Sequence, residues 1–93
     1  MPGTTGNFST APAVVEAPPP GSTVVVIPGI GNTSLCEWSD SENALTNPNL
    51  ATWVPWSKGI VSSSTGDVVD AKVRALRFSR VSGSSVDSYE IYA

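Results

Sequence analysis

The apolar positions of this chain come in short bursts bounded by turn residues, and nowhere at sustained helical spacing. Thr23–Ile27 is an uninterrupted strand-favouring run closed by Pro28-Gly29, and the glycine-rich Gly29–Asn32 that follows reads as a turn. Ser34–Ser39 alternates, with Cys36 and Trp38 on one face and Leu35 and Glu37 on the other. Thr52–Trp56 reads as a third strand, interrupted at Pro55 and therefore placed at an edge or bulge. Ile60–Ser62 and Asp67–Val69 are shorter extended pieces. Lys72–Val81 is the longest predicted strand, and Gly83-Ser84-Ser85 turns it into a final strand, Val86–Tyr92. The polar stretch Ser41–Asn49 reads as a loop whose Ser41–Leu45 has the makings of one helical turn. Six or seven short strands at this spacing predict an all-β fold, a small antiparallel β-sandwich or jelly roll over residues 23–93. Trp38 and Phe78 are its expected core aromatics.

Two features complicate that picture. In Lys72–Val81 one face carries Lys72, Arg74, Leu76, Phe78 and Arg80, and the other Val73, Ala75, Arg77, Ser79 and Val81. Neither is polar throughout, as a wet outer face would be. The expectation is a second cover, from a neighbouring subunit or from the N-terminal segment. Residues 1–22 are different in kind. They hold five of the eight prolines, one charge (Glu16), and Phe8, Val14 and Val15 as their sizeable apolar groups. Proline fixes φ and has no N–H, and Pro18-Pro19-Pro20 favours polyproline II. The segment is therefore expected to be an extended arm outside the sandwich, tethering the chain to a neighbouring subunit.

Composition supports the strand reading: valine outnumbers leucine twelve to four. Its larger effect is on function. The chain has no histidine, which excludes Ser-His-Asp and Cys-His catalysis, histidine-ligated metals and histidine pH switching. A single cysteine, Cys36, excludes an internal disulfide. Small secreted domains usually carry such bridges, so folding in a reducing cytosol is expected. The longest apolar run, Val24–Ile27, is too short to cross a membrane as a helix, and no basic segment leads into an apolar stretch at the start, so neither a membrane span nor a signal peptide is expected. The formal charge is −3, with all five cations between Lys58 and Arg80. An acidic chain without a basic face is a poor partner for nucleic acid.

Candidate chemistry is sparse. Glu37, Asp40 and Glu42 cluster, as do Asp67 and Asp70, but Asp40–Leu45 lacks the central glycine of a calcium loop. These acids read as solvated loop residues. Gly29-Ile30-Gly31 is not followed by the lysine of a phosphate loop, and no Gly-x-Ser-x-Gly elbow occurs. Cys36 has no cation near it in sequence and reads as an inert buried thiol. The chain is expected not to be an enzyme and to need no cofactor or metal. Of the three tryptophans, Trp53 and Trp56 flank Val54-Pro55, and a regular strand would put them on opposite faces. One buried and one at an interface is the expected arrangement.

Residues 36–93 resemble the short proteins encoded among the structural genes of tailed bacteriophages. The resemblance runs through a strand holding "EWS", a polar loop, "WVPWSKG", "TGDVVDA", "VRALRFSRVSG" and a closing "YEIYA", and rests chiefly on Trp53, Trp56, Gly59, Asp67, Arg77 and Gly83. It implies a small β-sandwich decorating heads or forming part of tails or fibres. The implied product is a virion structural protein, assembled in the host cytoplasm as a homo-oligomer, with a trimer as the leading expectation and a major capsid or tail protein as its partner. Expected contact residues are Phe8, Val14, Val15, Trp53 and Trp56, with Arg74, Arg77 and Arg80 pairing with acids on a partner. The closing segment is also similar to the last strands of discoidin-type jelly rolls, which leaves a carbohydrate-binding module of a tail or fibre as the alternative.

Overall fold

The computed structural model describes residues 4–69 and 72–92. Eight strands build it: β1 (Thr4–Phe8), β2 (Ala13–Glu16), β3 (Ser22–Ile27), β4 (Thr33–Ser39), β5 (Val54–Pro55), β6 (Thr65–Val69), β7 (Ala75–Ser82) and β8 (Asp87–Tyr92). They form two four-stranded sheets, ordered β1-β8-β3-β6 and β2-β7-β4-β5, with every pairing antiparallel. The fold is the all-β sandwich that the strand pattern predicts.

Alternation along the strands sorts the two faces. Ser22, Val24 and Val26 of β3, Tyr89 and Ile91 of β8, and Cys36 of β4 are buried between the sheets. In β7, Leu76 and Phe78 point inward while Arg77 and Ser79 are only half-buried. An aromatic column runs through the centre. Phe78 stacks on Tyr89 with ring centroids 4.2 Å apart, and Phe8 lies 5.9 Å from Phe78 on its own account. The Tyr89 ring needs a bare backbone opposite: a β-carbon on Gly6 would fall 2.6 Å from the ring carbon bearing its hydroxyl. Trp38 packs against this core but is half-buried, at the end of β4, so only Phe78 of the two expected core aromatics is fully enclosed.

The largest departure from the sequence reading is the N-terminal segment. Residues 4–16 are not an arm outside the sandwich. β1 pairs with β8 from Thr4–Ile91 to Phe8–Asp87, and β2 pairs with β7 from Ala13–Phe78 to Glu16–Ala75. The physical reason is where the prolines sit. Pro12 precedes β2, and Pro18, Pro19 and Pro20 lie in the connection to β3, so no ladder N–H is lost. Each of the two strands occupies a sheet edge, where flanking prolines are tolerated. The segment therefore closes one side of the sandwich and covers neither outer face.

Smaller shifts have local causes. Thr52–Trp56 shrinks to the two residues of β5, with the Trp56 N–H adding one further bond along the same register, to the Cys36 carbonyl at 2.9 Å. Ile60–Ser62 contributes a single bridge, Ser34 to Val61. The long strand begins at Ala75 instead of Lys72. In the β4–β5 loop, Asn47 N–H donates to Asn43 C=O at 2.7 Å, one turn of helical bonding, before a 3-10 turn at Pro48–Leu50.

Candidate interaction surfaces

The expected contact residues separate into buried and surface groups. Phe8 and Trp56 are core, contrary to the interface role expected of them. The Trp56 indole N–H donates to the Gly59 carbonyl at 2.6 Å, which satisfies the one polar atom the ring buries. Val15 lies opposite Leu76 and packs on the core, whereas Val14 lies opposite Arg77 on the outer face. Trp53 is half-buried. Its N–H donates to the Pro48 carbonyl at 3.0 Å, and the Arg77 guanidinium sits 4.5 Å from its ring centroid. Arg77 also bonds Glu37 Oε1 through Nε at 3.0 Å and through a terminal nitrogen at 2.7 Å. Trp53 is thus a strut between the β4–β5 loop and the outer face of the second sheet, with one ring face taken.

Arg77 and Arg80 are held by acids of this chain, so the expectation that they pair with a partner's acids is corrected for these two, while Arg74 and its neighbour Asp40 are both exposed. Arg74 reaches Asp40, Arg77 reaches Glu37 and Arg80 reaches Asp87. The last pair is the most enclosed: the Arg80 side chain is 8% exposed and that of Asp87 0%. Asp87 Oδ1 accepts from the Gly29 N–H at 2.8 Å, the Asn32 amide at 2.8 Å and the Ser34 hydroxyl at 3.0 Å, while Oδ2 accepts from Arg80 Nε at 3.0 Å. Arg80 and Asn32 in turn bond the Ser85 carbonyl. Every member of the network has a partner, as a buried charge requires. The network clips the β7–β8 hairpin to the β3–β4 turn. Gly83 completes the fit, with φ at 108° and no room for a β-carbon beside the Asn32 side-chain oxygen.

Burial works to raise the Asp87 pKa, but the hydrogen bonds from Asn32, Gly29, Arg80 and Ser34 outweigh it and hold the carboxyl below the usual carboxylate range. A depressed folded-state pKa gives stability that is fully present above the unfolded value of about 4. That stability is lost as the pH falls through the lower folded-state value. Urea denaturation between neutral pH and about pH 2 is expected to show a progressive loss of stability below about pH 4, and Asp87→Asn is expected to reduce that slope. An unchanged slope in the variant would assign the acid sensitivity to other carboxyls.

Above this clip stands an apolar group that the sequence reading missed. Ile30, at the crest of the β3–β4 turn, is 94% exposed, and Val86, at the hairpin base, is 67% exposed. The Ser85 hydroxyl donates to the Ile30 carbonyl at 3.0 Å, so the two turns are joined beneath these side chains. Val81 adds a third exposed aliphatic group on β7. A signal for Ile30 was present: an aliphatic residue between two turn glycines, Gly29 and Gly31, has little chain around it to be buried by.

At the other end of the sandwich, Glu16, Ala17, Glu42, Leu45, Val73 and Arg74 line a cleft of about 220 Å³. Glu16 ends β2, Glu42 and Leu45 follow β4, and Val73 and Arg74 precede β7. Asp67, one of the candidate acids, is held by the Ser57 hydroxyl and its own neighbouring N–H, and Asp70 lies outside the described residues. Among the described residues no group of three or more acidic or cysteine side chains is placed to hold a metal ion.

Cys36 is fully enclosed, and burial followed by the Glu37 charge pushes its thiol up to about 12. The thiolate is the reactive form. Alkylation by iodoacetamide at pH 8 is expected to be undetectable in the native protein and rapid in denaturant. Rapid native labelling would mean that the sandwich opens locally around β4.

Compared with family models, with curated proteins and with solved structures, the chain matches none.

Proposed function

We propose that this chain is a virion structural protein of the tailed-phage type, which decorates or cements capsid or tail subunits through protein–protein contacts. The observation that carries the reading is the apolar tip: Ile30 and Val86, in two turns tied together by hydrogen bonds, and Val81, on β7, are exposed. Aliphatic groups presented on a rigid backbone suit adhesion, since docking them orders little that is not already ordered. The resemblance of residues 36–93 to phage head and tail proteins gives the class of partner.

The carbohydrate-binding alternative has less support. Sugar stacking uses an open aromatic face, and Trp38 and Trp53 are half-buried while Trp56 is buried. The exposed Tyr92 donates its hydroxyl to Glu90 at 2.6 Å. The deciding experiment is protein quantification on purified phage particles carrying the gene, beside glycan binding by the purified chain. A fixed ratio of this protein to the major capsid or tail subunit is expected. Absence from particles would overturn the reading, and saturable glycan binding would favour the alternative.

A further inference from the structure

We infer that two copies of this chain pair through β1, edge to edge and antiparallel, joining their first sheets into one continuous sheet. In an antiparallel ladder successive residues turn their backbone groups alternately to one neighbour and to the other. The Val69 carbonyl accepts from the Gly21 N–H at 2.8 Å, so the backbone groups of Val69, Asp67 and Thr65 in β6 face β3, and those of Gly66 and Val68 face away. Carried across the register through β3 and β8, the same alternation turns the backbone groups of Thr4, Gly6 and Phe8 toward β8. The N–H and C=O groups of Thr5 and Asn7 are left on the open edge of β1.

The described residues form four edge strands, and three of them carry a block. β5 is two residues long; the Trp56 N–H bonds to β4, so Pro55, which has no donor, falls on the open side. In β6 the outward Val68 N–H is already taken by Asp67 Oδ1 at 2.9 Å, and the Ser57 hydroxyl holds Oδ2. β2 has four residues between Pro12 and Pro18 and ends on Glu16. Shortness, proline and charge are the devices that keep an edge from pairing. Thr4–Phe8 is five residues long and has neither proline nor charge, and Thr5 and Asn7 are exposed.

A second copy of β1 fits that edge. With Gly6 on the two-fold axis, Thr5 of each copy lies opposite Asn7 of the other, and the two residues exchange N–H···O bonds in both directions. The strand carries no charge, so no like charges are opposed across the axis. The outer-face side chains that meet there are a hydroxyl and an amide, each able to donate and to accept. Such a contact uses the same patch on both copies and closes at a dimer, in place of the trimer that the resemblance implies.

Sedimentation velocity and residue-resolved amide hydrogen exchange on the full chain, from micromolar to near-millimolar concentration, test this. The wild type is expected to dimerise as the concentration rises. Exchange at the Thr5 and Asn7 amides is expected to slow by at least about tenfold with it, while Gly66, outward on β6, keeps its rate. Asn7→Pro removes an outward donor and takes no bond from the β8 ladder. The double variant Thr5→Lys with Asn7→Lys sets like charges across the axis. Both positions are exposed, so both variants are expected to retain the wild-type circular dichroism, and each is expected to weaken dimerisation by at least about tenfold. A wild type that dimerises with the Thr5 and Asn7 rates unchanged overturns the pairing, whatever the variants do. So does dimerisation that Asn7→Pro leaves intact, which would move the contact to another surface. A wild type that stays monomeric throughout overturns it too; if Asn7→Pro is then lost from particles, the edge belongs to a strand of the particle subunit. A monomer that occurs on particles in fixed ratio would remove the pairing of copies and leave the proposed function standing.

Discussion

Asp87→Ala is expected to cost about 3–5 kcal/mol, the penalty for leaving a buried charge without its partner. The fold of a chain this long has about 5–14 kcal/mol to lose. Arg80 would remain enclosed beside β8 with its Nε donor unanswered, and the Gly29, Asn32 and Ser34 donors would lose their shared acceptor. Equilibrium urea denaturation of the variant beside the wild type measures the loss. Asp87→Asn is expected to fall between the two, since it can still accept hydrogen bonds without the charge. A cost below about 1 kcal/mol, the range of an exposed pair, would mean that water reaches the network and that the clip does not hold the two turns together.

Phe78→Ala is the second large effect, again about 3–5 kcal/mol. Phe78 has no exposed surface and lies in contact with aromatic rings from the opposite sheet, Tyr89 and Phe8. Removing it leaves a void that neither ring can fill, because both belong to strands fixed by their own ladders, β8 and β1. Thermal unfolding followed by near-ultraviolet circular dichroism reads both the midpoint and the loss of aromatic packing. A melting point unchanged from the wild type would place Phe78 outside the core.

The layout of residues 23–93 was legible because strand alternation and turn residues are local signals. Val24 and Val26, Leu76 and Phe78, and Tyr89 and Ile91 fall on inner faces where a period of two puts them. The N-terminal segment was misread for a physical reason. Proline penalises a strand only where its missing N–H would enter a ladder, and a count of prolines does not say where they fall. Ala13–Glu16 fits between Pro12 and Pro18, and Phe8 has its pocket between strands some seventy to eighty residues further along. The same distance hid the polar clip. Arg80 and Asp87 flank a glycine turn and are readable as a hairpin pair, but Gly29, Asn32 and Ser34 come to them only through the pairing of both sheets. Of Trp53 and Trp56, the sequence did not say which is buried; the β4–β5 register decides it by setting Trp56 opposite the inward-facing Cys36.

The edge positions of β1 and β2 also set an order of events during synthesis. These strands are made well before their ladder partners, β8 and β7. The second sheet waits for β7 to leave the exit tunnel, and the first for β8. Phe8, Val14 and Val15 spend that interval in a nascent chain with no groove to enter. Closing loops of about sixty to eighty residues is slow by its entropy, so the two edge strands are expected to be late additions to their sheets.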